Sequence, residues 1–168
     1  ARSIIDGLSL MNEDSIGNKI SVSNLNISDE GLHPENVGAF TFDGEGTPTQ
    51  NIKLVSKGIL TNLLHSEATA RKFGVRPTGH AGLGAKVSVS PDWLVVSKSK
   101  ALMDKNESLS VKSTLKEYIL IDDLSAIHSG VKASQGSFSL PFDGWIVNDG
   151  KKTSIEAATV AGDILNVL

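Results

Sequence analysis

The chain has 168 residues, a formal net charge of -3 and 39% hydrophobic residues, which describes one ordinary domain able to bury about two thirds of its unfolded surface. The scattered lysines give no basic field, and no apolar run reaches the roughly 18 residues that span a bilayer, so we expect no nucleic acid and no membrane as partners. The absence of cysteine excludes disulfides and thiolate metal ligands.

The first fifty residues predict one helix, one strand and a long loop. In residues 2–11, RSIIDGLSLM, apolar side chains recur at helical spacing and predict a short helix. Residues 19–27, KISVSNLNI, alternate apolar and polar side chains with one slip, which predicts a strand with a bulge. Pro34 and Pro48 exclude a continuous helix from residue 28 to residue 50, where turn formers predict a long ordered or functional loop.

The middle of the chain predicts a hairpin followed by a helix. NIKLVSKGILTNLL reads as two strands that turn at Lys57-Gly58, where glycine can take a positive φ. In HSEATARKFG, Ser66 can cap the N-terminus of a two-turn helix and Gly74 can end it. Beyond this helix we expect irregular backbone in the glycine-rich RPTGHAGLGAK, then strands in KVSVS and WLVVS.

A polar stretch opens the last third of the chain. We expect residues 100–113 to be exposed, because they are mostly polar. EYILI predicts a buried strand, and Asp122 or Asp123 can cap a helix through LSAIHS that ends at Gly130.

The closing segment completes the predicted fold. Asp149-Gly150 between strand formers predicts a hairpin, and the apolar spacing in IEAATVAGDILNVL predicts a terminal helix interrupted at Gly162. These elements amount to seven or eight strands and three or four short helices. We therefore expect residues 1–168 to form a single mainly β (α+β) domain, with a twisted antiparallel or mixed, barrel-like sheet and short helices on its edges.

No motif for hydrolytic chemistry is complete. The four histidines are at least fifteen residues apart, whereas a helical zinc site pairs two histidines about four residues apart. His65-Ser66-Glu67 matches the H-x-E of zinc deaminases without their cysteine pair, so a hydrogen-bonded histidine before a helix is the better interpretation. Residues 135–139 lack the second glycine of a nucleophile elbow, and the glycines of residues 79–84 predict tight turns instead of a dinucleotide loop.

Asp43 and Glu45 lie between glycines in FDGEGTPTQ and raise three possibilities. Two carboxylates can act as an acid/base pair when their environments separate their pKa values, and they can be calcium ligands if several other oxygens join them. The composition favours a simple turn instead. We expect Gly44 or Gly46 to have a positive φ and Asp43 to accept backbone N–H groups within its own turn.

Two long blocks carry an ordered set of motifs. In FDGEGTPTQNIKLVSKGILTNLLHSEATARKFGVRPTGHA, an acidic-glycine turn and PTQ precede a hairpin, a TARKFG helix and a TGHA loop. GSFSLPFDGWIVNDGKKTSIEAATVAGDILNVL has G-x-F-S, a G-W/F-I-x-N-G hairpin and an AGDIL ending. Over roughly residues 38–96 and 117–168 the chain resembles the TldD/PmbA family, once called modulators of DNA gyrase.

The resemblance implies a cytoplasmic metallopeptidase system, heterodimeric in TldD/TldE cases, that degrades or trims unfolded peptides such as microcin precursors and antitoxins. In this family the zinc histidines lie in an upstream H-E-x-x-x-H helix, and a cysteine of the TldD-type subunit completes the site. The chain has neither motif. It therefore resembles the C-terminal domain of a PmbA/TldE-type subunit, a fragment of a longer protein, with no catalytic or metal residues and no cofactor of its own. Zinc is expected in the catalytic partner.

Two functional classes follow. In the first, the chain is a noncatalytic part of a peptidase assembly, and its partners are a TldD-like catalytic subunit or a second copy of itself, together with unfolded peptide. The candidate contacts with peptide or partner are Asp43, Glu45, Gln50, Thr78 and His80. The alternative is a stand-alone hydrolase that uses carboxylates such as Asp43 and Glu45, or a metal bound to His80.

Overall fold

The computed structural model describes residues 1–98 and 115–168. The chain divides into two compact units, Ala1–Leu102 and Met103–Leu168, and each has its own sheet and its own buried apolar side chains. The stretch predicted to be polar and exposed, residues 100–113, lies outside the described residues. Among the described residues, no helix is long and apolar enough to cross a membrane.

The first unit is built on a four-stranded antiparallel sheet. Its elements in chain order are α1 (Arg2–Ile5), a 3-10 turn (Glu13–Ser15), β1 (Leu25–Glu30), β2 (Asn51–Ser56), β3 (Ile59–Leu60), α2 (Glu67–Phe73), β4 (Ala81–Gly82), β5 (Ser88–Val89) and β6 (Leu94–Lys98). The strand order is β3-β2-β1-β6, and β4 pairs with β5 separately. Buried apolar side chains from β2, β3, the segment after β3, α2 and β4 form the core, namely Val55, Leu60, Leu64, Ala70 and Ala81.

The second unit is a long antiparallel ribbon. Its described elements are β7 (Glu117–Leu124), α3 (Ile127–Gly130), β8 (Val131–Lys132), β9 (Ser137–Asn148), β10 (Lys151–Asp163) and α4 (Ile164–Val167). The strand order is β10-β9-β7, with β8 also paired to β9. Leu140, Phe142 and Val147 of β9 are its buried apolar residues.

The predictions of turns and helix caps from the sequence are confirmed. Lys57 and Gly58 have φ values of 51° and 78°, and both central residues of the Asp149-Gly150 turn also have positive φ, as a type I′ hairpin requires. Ser66 caps α2 in a reciprocal hydrogen-bonded pair with Thr69. These predictions succeed because each depends on residues within one turn of each other.

Two helix predictions in the second unit need correction, because pairing between strands replaces the predicted helical structure. The predicted terminal helix is strand β10 up to Asp163, since the hairpin aligns it with β9 along its whole length, and only Ile164–Val167 is helical. Asp122 and Asp123 belong to β7, which keeps pairing with β9, so α3 begins after Ala126 without a side-chain cap.

The beginning of the chain also differs from the pattern. The first helix ends at Ile5, and the strand predicted at residues 19–27 begins only at Leu25. The amide groups of Ile20 and Ser21 donate to the carbonyl of Gly58, so this segment wraps around a turn and does not join a ladder. The slip in the pattern lies between Val22 and Leu25, before the strand begins, whereas the irregularity of register in β1 lies further on, between Ile27 and Ser28.

The mainly β prediction with antiparallel strands and short helices is confirmed, whereas the barrel-like closure is wrong for the described residues. Each main sheet is an open path, because β3 and β6 end the first sheet and β10 and β7 end the second. Open sheets leave backbone N–H and C=O groups available along their edge strands.

Candidate functional site

The acidic-glycine loop is a self-contained turn. Asp43 Oδ1 accepts hydrogen bonds from the backbone amides of Glu45 and Thr47, both at 2.9 Å. The backbone of Asp43 also donates to the Thr47 carbonyl at 2.8 Å, and Gly46 has a φ of 80°. These contacts confirm the predicted turn, because a short acceptor side chain satisfies amides a few residues ahead of it.

The same loop binds the TGHA segment, which lies far away in sequence. Asp43 Oδ2 accepts from the amide of Ala81 at 2.9 Å, while the amide of Gly44 donates to the Ala81 carbonyl at 2.7 Å. Both carboxylate oxygens of Asp43 are therefore occupied by backbone donors. Such a carboxylate positions two loops and has little capacity left for acid/base chemistry.

Glu45 has a different partner. Its Oε2 accepts from the amide of Glu67 at 2.8 Å, in the first turn of α2. A carboxylate at this place satisfies a free helical N–H group and interacts favourably with the positive end of the helix. Asp43 and Glu45 are thus directed to separate partners and do not form a carboxylate pair.

Thr78 links the two buried histidines. Its Oγ1 accepts from the amide of His65 at 2.8 Å and lies 3.2 Å from the His65 carbonyl and 2.9 Å from His80 Nδ1. The hydroxyl has one proton, so it can donate either to the carbonyl or to the imidazole. In either arrangement Thr78 fixes the position of the His80 ring, and all three residues are buried.

His80 lies against a fully buried carboxylate. Its Nε2 is 3.0 Å from Asp29 Oδ2, and both side chains have no exposed surface. Asp29 is therefore the close polar neighbour of this ring nitrogen, and the contact is an ion pair when the imidazole is protonated.

Asp29 also fixes the start of β6. Its Oδ1 accepts from the amide of Trp93 at 2.7 Å, and its Oδ2 accepts from the amide of Asp92 at 2.9 Å. A buried carboxylate requires several such donors to offset its loss of hydration. The contacts of Asp29 thus connect β1, the TGHA segment and the edge strand β6.

An open cavity of about 350 Å³ lies over this network. Its wall includes Phe40 and Phe42, the loop at Asp43, His80 and the carboxylate of Asp92. Partial burial raises the pKa of Asp92, His80 opposes the rise, and the carboxylates of Asp29 and Asp43 add to it. The cavity is therefore a region of excess negative charge next to two aromatic rings.

A second cavity of about 330 Å³ lies at the other end of the TGHA segment and includes Gln50, His65, Arg76 and Thr78. Gln50 is exposed, and its Nε2 donates to the carbonyl of Pro77 at 3.3 Å. Burial lowers the pKa of His65, and the nearby amino group of Ala1 lowers it further, while a backbone contact at Thr69 opposes the shift.

The structure therefore divides the five predicted site residues. Asp43 and His80 line the first cavity, Gln50 and Thr78 line the second, and Glu45 caps α2. Their predicted role in peptide or partner contact stays a prediction.

Sequence reasoning missed Asp29, Asp92, Phe40 and Phe42. Only Asp29 had a usable signal: it lies two residues after Ile27, so along a strand its side chain is on the same face as that apolar side chain.

The family model for the PmbA/TldA metallopeptidase C-terminal domain matches residues 1–168. The chain belongs to this family. It is 28% identical to the metalloprotease PmbA of Escherichia coli O157:H7 over 90% of its own length and 31% of that protein. It is also 39% identical to the metalloprotease slr0863 of a Synechocystis strain over 40% of its length and 14% of that protein.

Solved structures agree with this assignment. The Thermotoga maritima protein TM0727, described as a modulator of a DNA gyrase, superposes with a TM-score of 0.84 at 26% identity, over 99% of this chain and 37% of that one. TldE from Thermococcus kodakarensis shares the fold, with a TM-score of 0.73 at 19% identity over 92% of this chain and 34% of that protein. The chain matches about a third or less of the length of each of these relatives.

A metallopeptidase family implies a metal, so we examined whether this PmbA/TldA domain offers ligands for one. Within residues 1–98 and 115–168, no group of three or more His, Cys, Asp or Glu side chains is arranged to hold a metal ion. The nearest pair of possible ligands is His80 and Asp29, but both carboxylate oxygens of Asp29 already accept hydrogen bonds from backbone amides. The described donors of the domain do not fit a zinc site.

Proposed function

We propose that this chain is the noncatalytic C-terminal domain of a PmbA/TldE-type subunit in a TldD/TldE-type metallopeptidase assembly. Its task is to hold an unfolded peptide, of the microcin-precursor or antitoxin kind, while a catalytic partner that contains zinc cleaves it in the cytoplasm. The observation that carries the proposal is the outer edge of β6. This strand pairs with β1 on one side and with no strand of the described residues on the other.

An unpaired strand can bind an extended peptide through backbone hydrogen bonds that do not depend on peptide sequence. Such binding suits an assembly that acts on unfolded chains. The side chains of Leu94 and Val96 on β6 are 54% and 67% exposed, so the edge also offers apolar contact. Exposed apolar edge strands are otherwise avoided, because they promote aggregation.

The alternative of a stand-alone hydrolase has less support. The carboxylates of Asp43 and Glu45 are bonded to backbone amides, and the contact of His80 with Asp29 is not part of a ligand set in the described residues. We expect the purified chain to show no cleavage of an unfolded peptide. Chelator-sensitive cleavage, together with stoichiometric zinc in the purified chain, would favour the hydrolase.

The edge is tested with Val96→Lys, because a lysine on an edge strand opposes the addition of another strand. The matched control is Ile119→Lys on β7, which is exposed to a similar extent at 59%. We expect peptide binding, measured by fluorescence anisotropy, to weaken in Val96→Lys and to be unchanged in Ile119→Lys. A loss confined to Ile119→Lys would place the peptide on β7 and refute the role of β6.

The predicted contact residues are tested in the full-length subunit. Gln50→Ala and His80→Ala are compared for binding to the catalytic partner and for proteolysis of an unfolded substrate by the complex. Gln50 is exposed and its side chain makes one long hydrogen bond, to the Pro77 carbonyl, so its loss should disturb the fold little, whereas His80 is buried and its loss also affects the loop. If both variants assemble and cleave like the parent, these residues are structural only.

A further inference from the structure

The pairing of β6 with β1 decides which backbone groups of β6 face its open edge. The amide of Glu30 donates to the carbonyl of Trp93 at 2.8 Å, so this pair is hydrogen-bonded across the two segments. Hydrogen-bonded and non-hydrogen-bonded pairs alternate along an antiparallel ladder. At the other end, the carbonyl of Leu25, which lies opposite Lys98, accepts from the amide of Gly58 on the far side of β1. The register therefore directs the N–H and C=O groups of every second residue of β6 away from β1, namely those of Leu94, Val96 and Lys98.

Asp29 sets one end of this outward ladder. Its carboxylate accepts hydrogen bonds from the amides of Asp92 and Trp93, so neither amide is available at the edge. The first outward amide of β6 is that of Leu94, and the strand ends at Lys98. A strand added at this edge therefore meets three outward residues over a length of about five residues.

An apolar row that crosses the sheet ends uncovered on β6. Val55, Ile27 and Val96 lie side by side on one face, because each is the register partner of the next. Val55 is buried, Ile27 is half-buried and Val96 is exposed, and the exposed Leu94 lies on the same face as Val96. Apolar side chains opposite Leu94 and Val96 on an added strand would continue this row and cover both residues.

The last outward residue of β6 is charged. Lys98 is exposed and lies two residues after Val96, so its side chain is on the same face. Opposite charges that face each other across two strands stabilise the pair, whereas like charges destabilise it. The outer face of the edge thus presents two apolar side chains and one basic side chain, and the complementary row on an added strand is two apolar side chains and one acidic side chain.

The direction of the added strand puts these side chains in order. Every strand pair of the described residues is antiparallel, and antiparallel pairing is slightly more stable than parallel pairing. In an antiparallel addition, the residue opposite Lys98 comes first in the peptide, and the residues opposite Val96 and Leu94 follow at intervals of two.

We propose that the outer edge of β6 selects extended peptide segments with the pattern acidic-x-apolar-x-apolar, read from the amino to the carboxyl end and bound antiparallel to the strand. The three patterned residues pair with Lys98, Val96 and Leu94 through their N–H and C=O groups, and the intervening residues direct theirs away from β6. The inference rests on the proposed function, since it needs a peptide on β6, and it names the class of segment that is held.

Two peptides of one composition test the pattern and the direction. Each contains a five-residue segment between Gly-Ser flanks, is blocked at both ends and has a fluorescent label. The first segment is Glu-Thr-Val-Thr-Leu, and the second is its reversal, Leu-Thr-Val-Thr-Glu, which places Glu opposite Leu94 and Leu opposite Lys98. We expect the chain to bind the first about five- to tenfold more tightly in fluorescence anisotropy, because two cross-strand pairs become unfavourable in the second. Equal binding overturns the pattern and leaves the peptide edge intact, and tighter binding of the reversal overturns the antiparallel direction.

Backbone N-methylation of the first peptide tests the register by itself. Methylation of the Val nitrogen removes a donor that faces β6 and puts a methyl group between the strands, so binding should weaken at least about tenfold. Methylation of the preceding Thr nitrogen is the matched control and should change binding by less than about twofold, because that N–H points away from β6. Equal losses of affinity from the two methylations overturn the proposed register.

A charge reversal tests the acidic position. Lys98→Glu should remove the preference for the first peptide over its reversal, and it should favour a version of the first peptide with Lys in place of Glu by about fivefold. Lys53→Glu is the matched control, since Lys53 is an exposed lysine on β2 and the substitution changes the net charge equally. A preference that is unchanged in Lys98→Glu, or lost equally in both variants, overturns the acidic position.

Two results separate this inference from the function on which it rests. Binding of no peptide by the parent chain overturns the proposed function and the pattern together. A dimer of the chain in analytical ultracentrifugation that Val96→Lys dissociates places a second copy of β6 at the edge, and it overturns the peptide pattern. A monomeric parent chain that prefers the first peptide supports the inference.

Discussion

Replacement of Asp29 by alanine tests whether one buried carboxylate holds the start of β6. The substitution removes the acceptor for the backbone amides of Asp92 and Trp93, which it binds at 2.9 and 2.7 Å, and leaves His80 without its charged neighbour. A buried donor left without an acceptor destabilises a protein by about 1–3 kcal/mol. The two amides are only partly buried, which places each in the lower half of that range.

We therefore expect Asp29→Ala to lower the free energy of unfolding of the first unit by about 3 kcal/mol, counting both amides and the unpartnered His80. Asp29→Asn keeps one carbonyl oxygen of the same shape, but its amide nitrogen faces a donor. The decrease in the free energy of unfolding in Asp29→Asn should be roughly half that in Asp29→Ala. Asp14→Ala, at an exposed position, should change stability by less than about 0.5 kcal/mol.

Urea unfolding followed by tryptophan fluorescence is the appropriate assay. The chain has two tryptophans, and Trp145→Phe leaves Trp93 as the reporter of the first unit. The three Asp variants are made in this background, and their midpoints are compared at equal slope. If Asp29→Ala unfolds at the same urea concentration as Asp14→Ala, the carboxylate does not support β6 and the reasoning is wrong.

Three further outcomes follow from single contacts and can be measured by the same unfolding experiment. Gly79→Ala should destabilise the first unit by about 2–4 kcal/mol, because its φ of 75° is left-handed and a Cβ would meet the Pro48 carbonyl; an unchanged midpoint would contradict this. Glu45→Ala should lower the free energy of unfolding by about 0.5 kcal/mol, because the amide of Glu67 loses its acceptor, and Glu45→Gln should lower it less. Equal losses of stability in the two variants would argue against a capping role for Glu45. Burial lowers the pKa of His65 below its ordinary 6.5, so the unfolded chain binds a proton at this residue more readily than the folded chain does. The contribution of His65 to the free energy of unfolding should therefore be constant above about pH 6.5 and decrease as the pH falls below that value. The fall should be smaller in His65→Gln; an equal fall assigns it to other groups.

The two hairpins, the capped helix α2 and the Asp43 turn could be predicted because their determinants are local. Gly74 ends α2 in the left-handed conformation, as the sequence indicates. The resemblance of the motifs also identified the family, which the match over the whole chain confirms. The presence of Asp43 in a turn was predictable, but its second oxygen on Ala81 was not, since 38 residues separate them.

Pairing between distant strands decided the rest. Residues 155–163 carry helical spacing, yet β9 lies alongside them and pairs with one side of their backbone, with one irregularity between Ile155 and Ala158, so they form a strand. The candidate site arises in the same way. Asp29, His80 and Asp92 come from three segments, and only the pairing of β1 with β6 and the fold of the TGHA segment bring them together. The sequence by itself thus determined turns, caps and family, whereas the buried network and the acidic, aromatic cavity exist only in the tertiary structure, because contacts between distant residues leave no periodic or local signal.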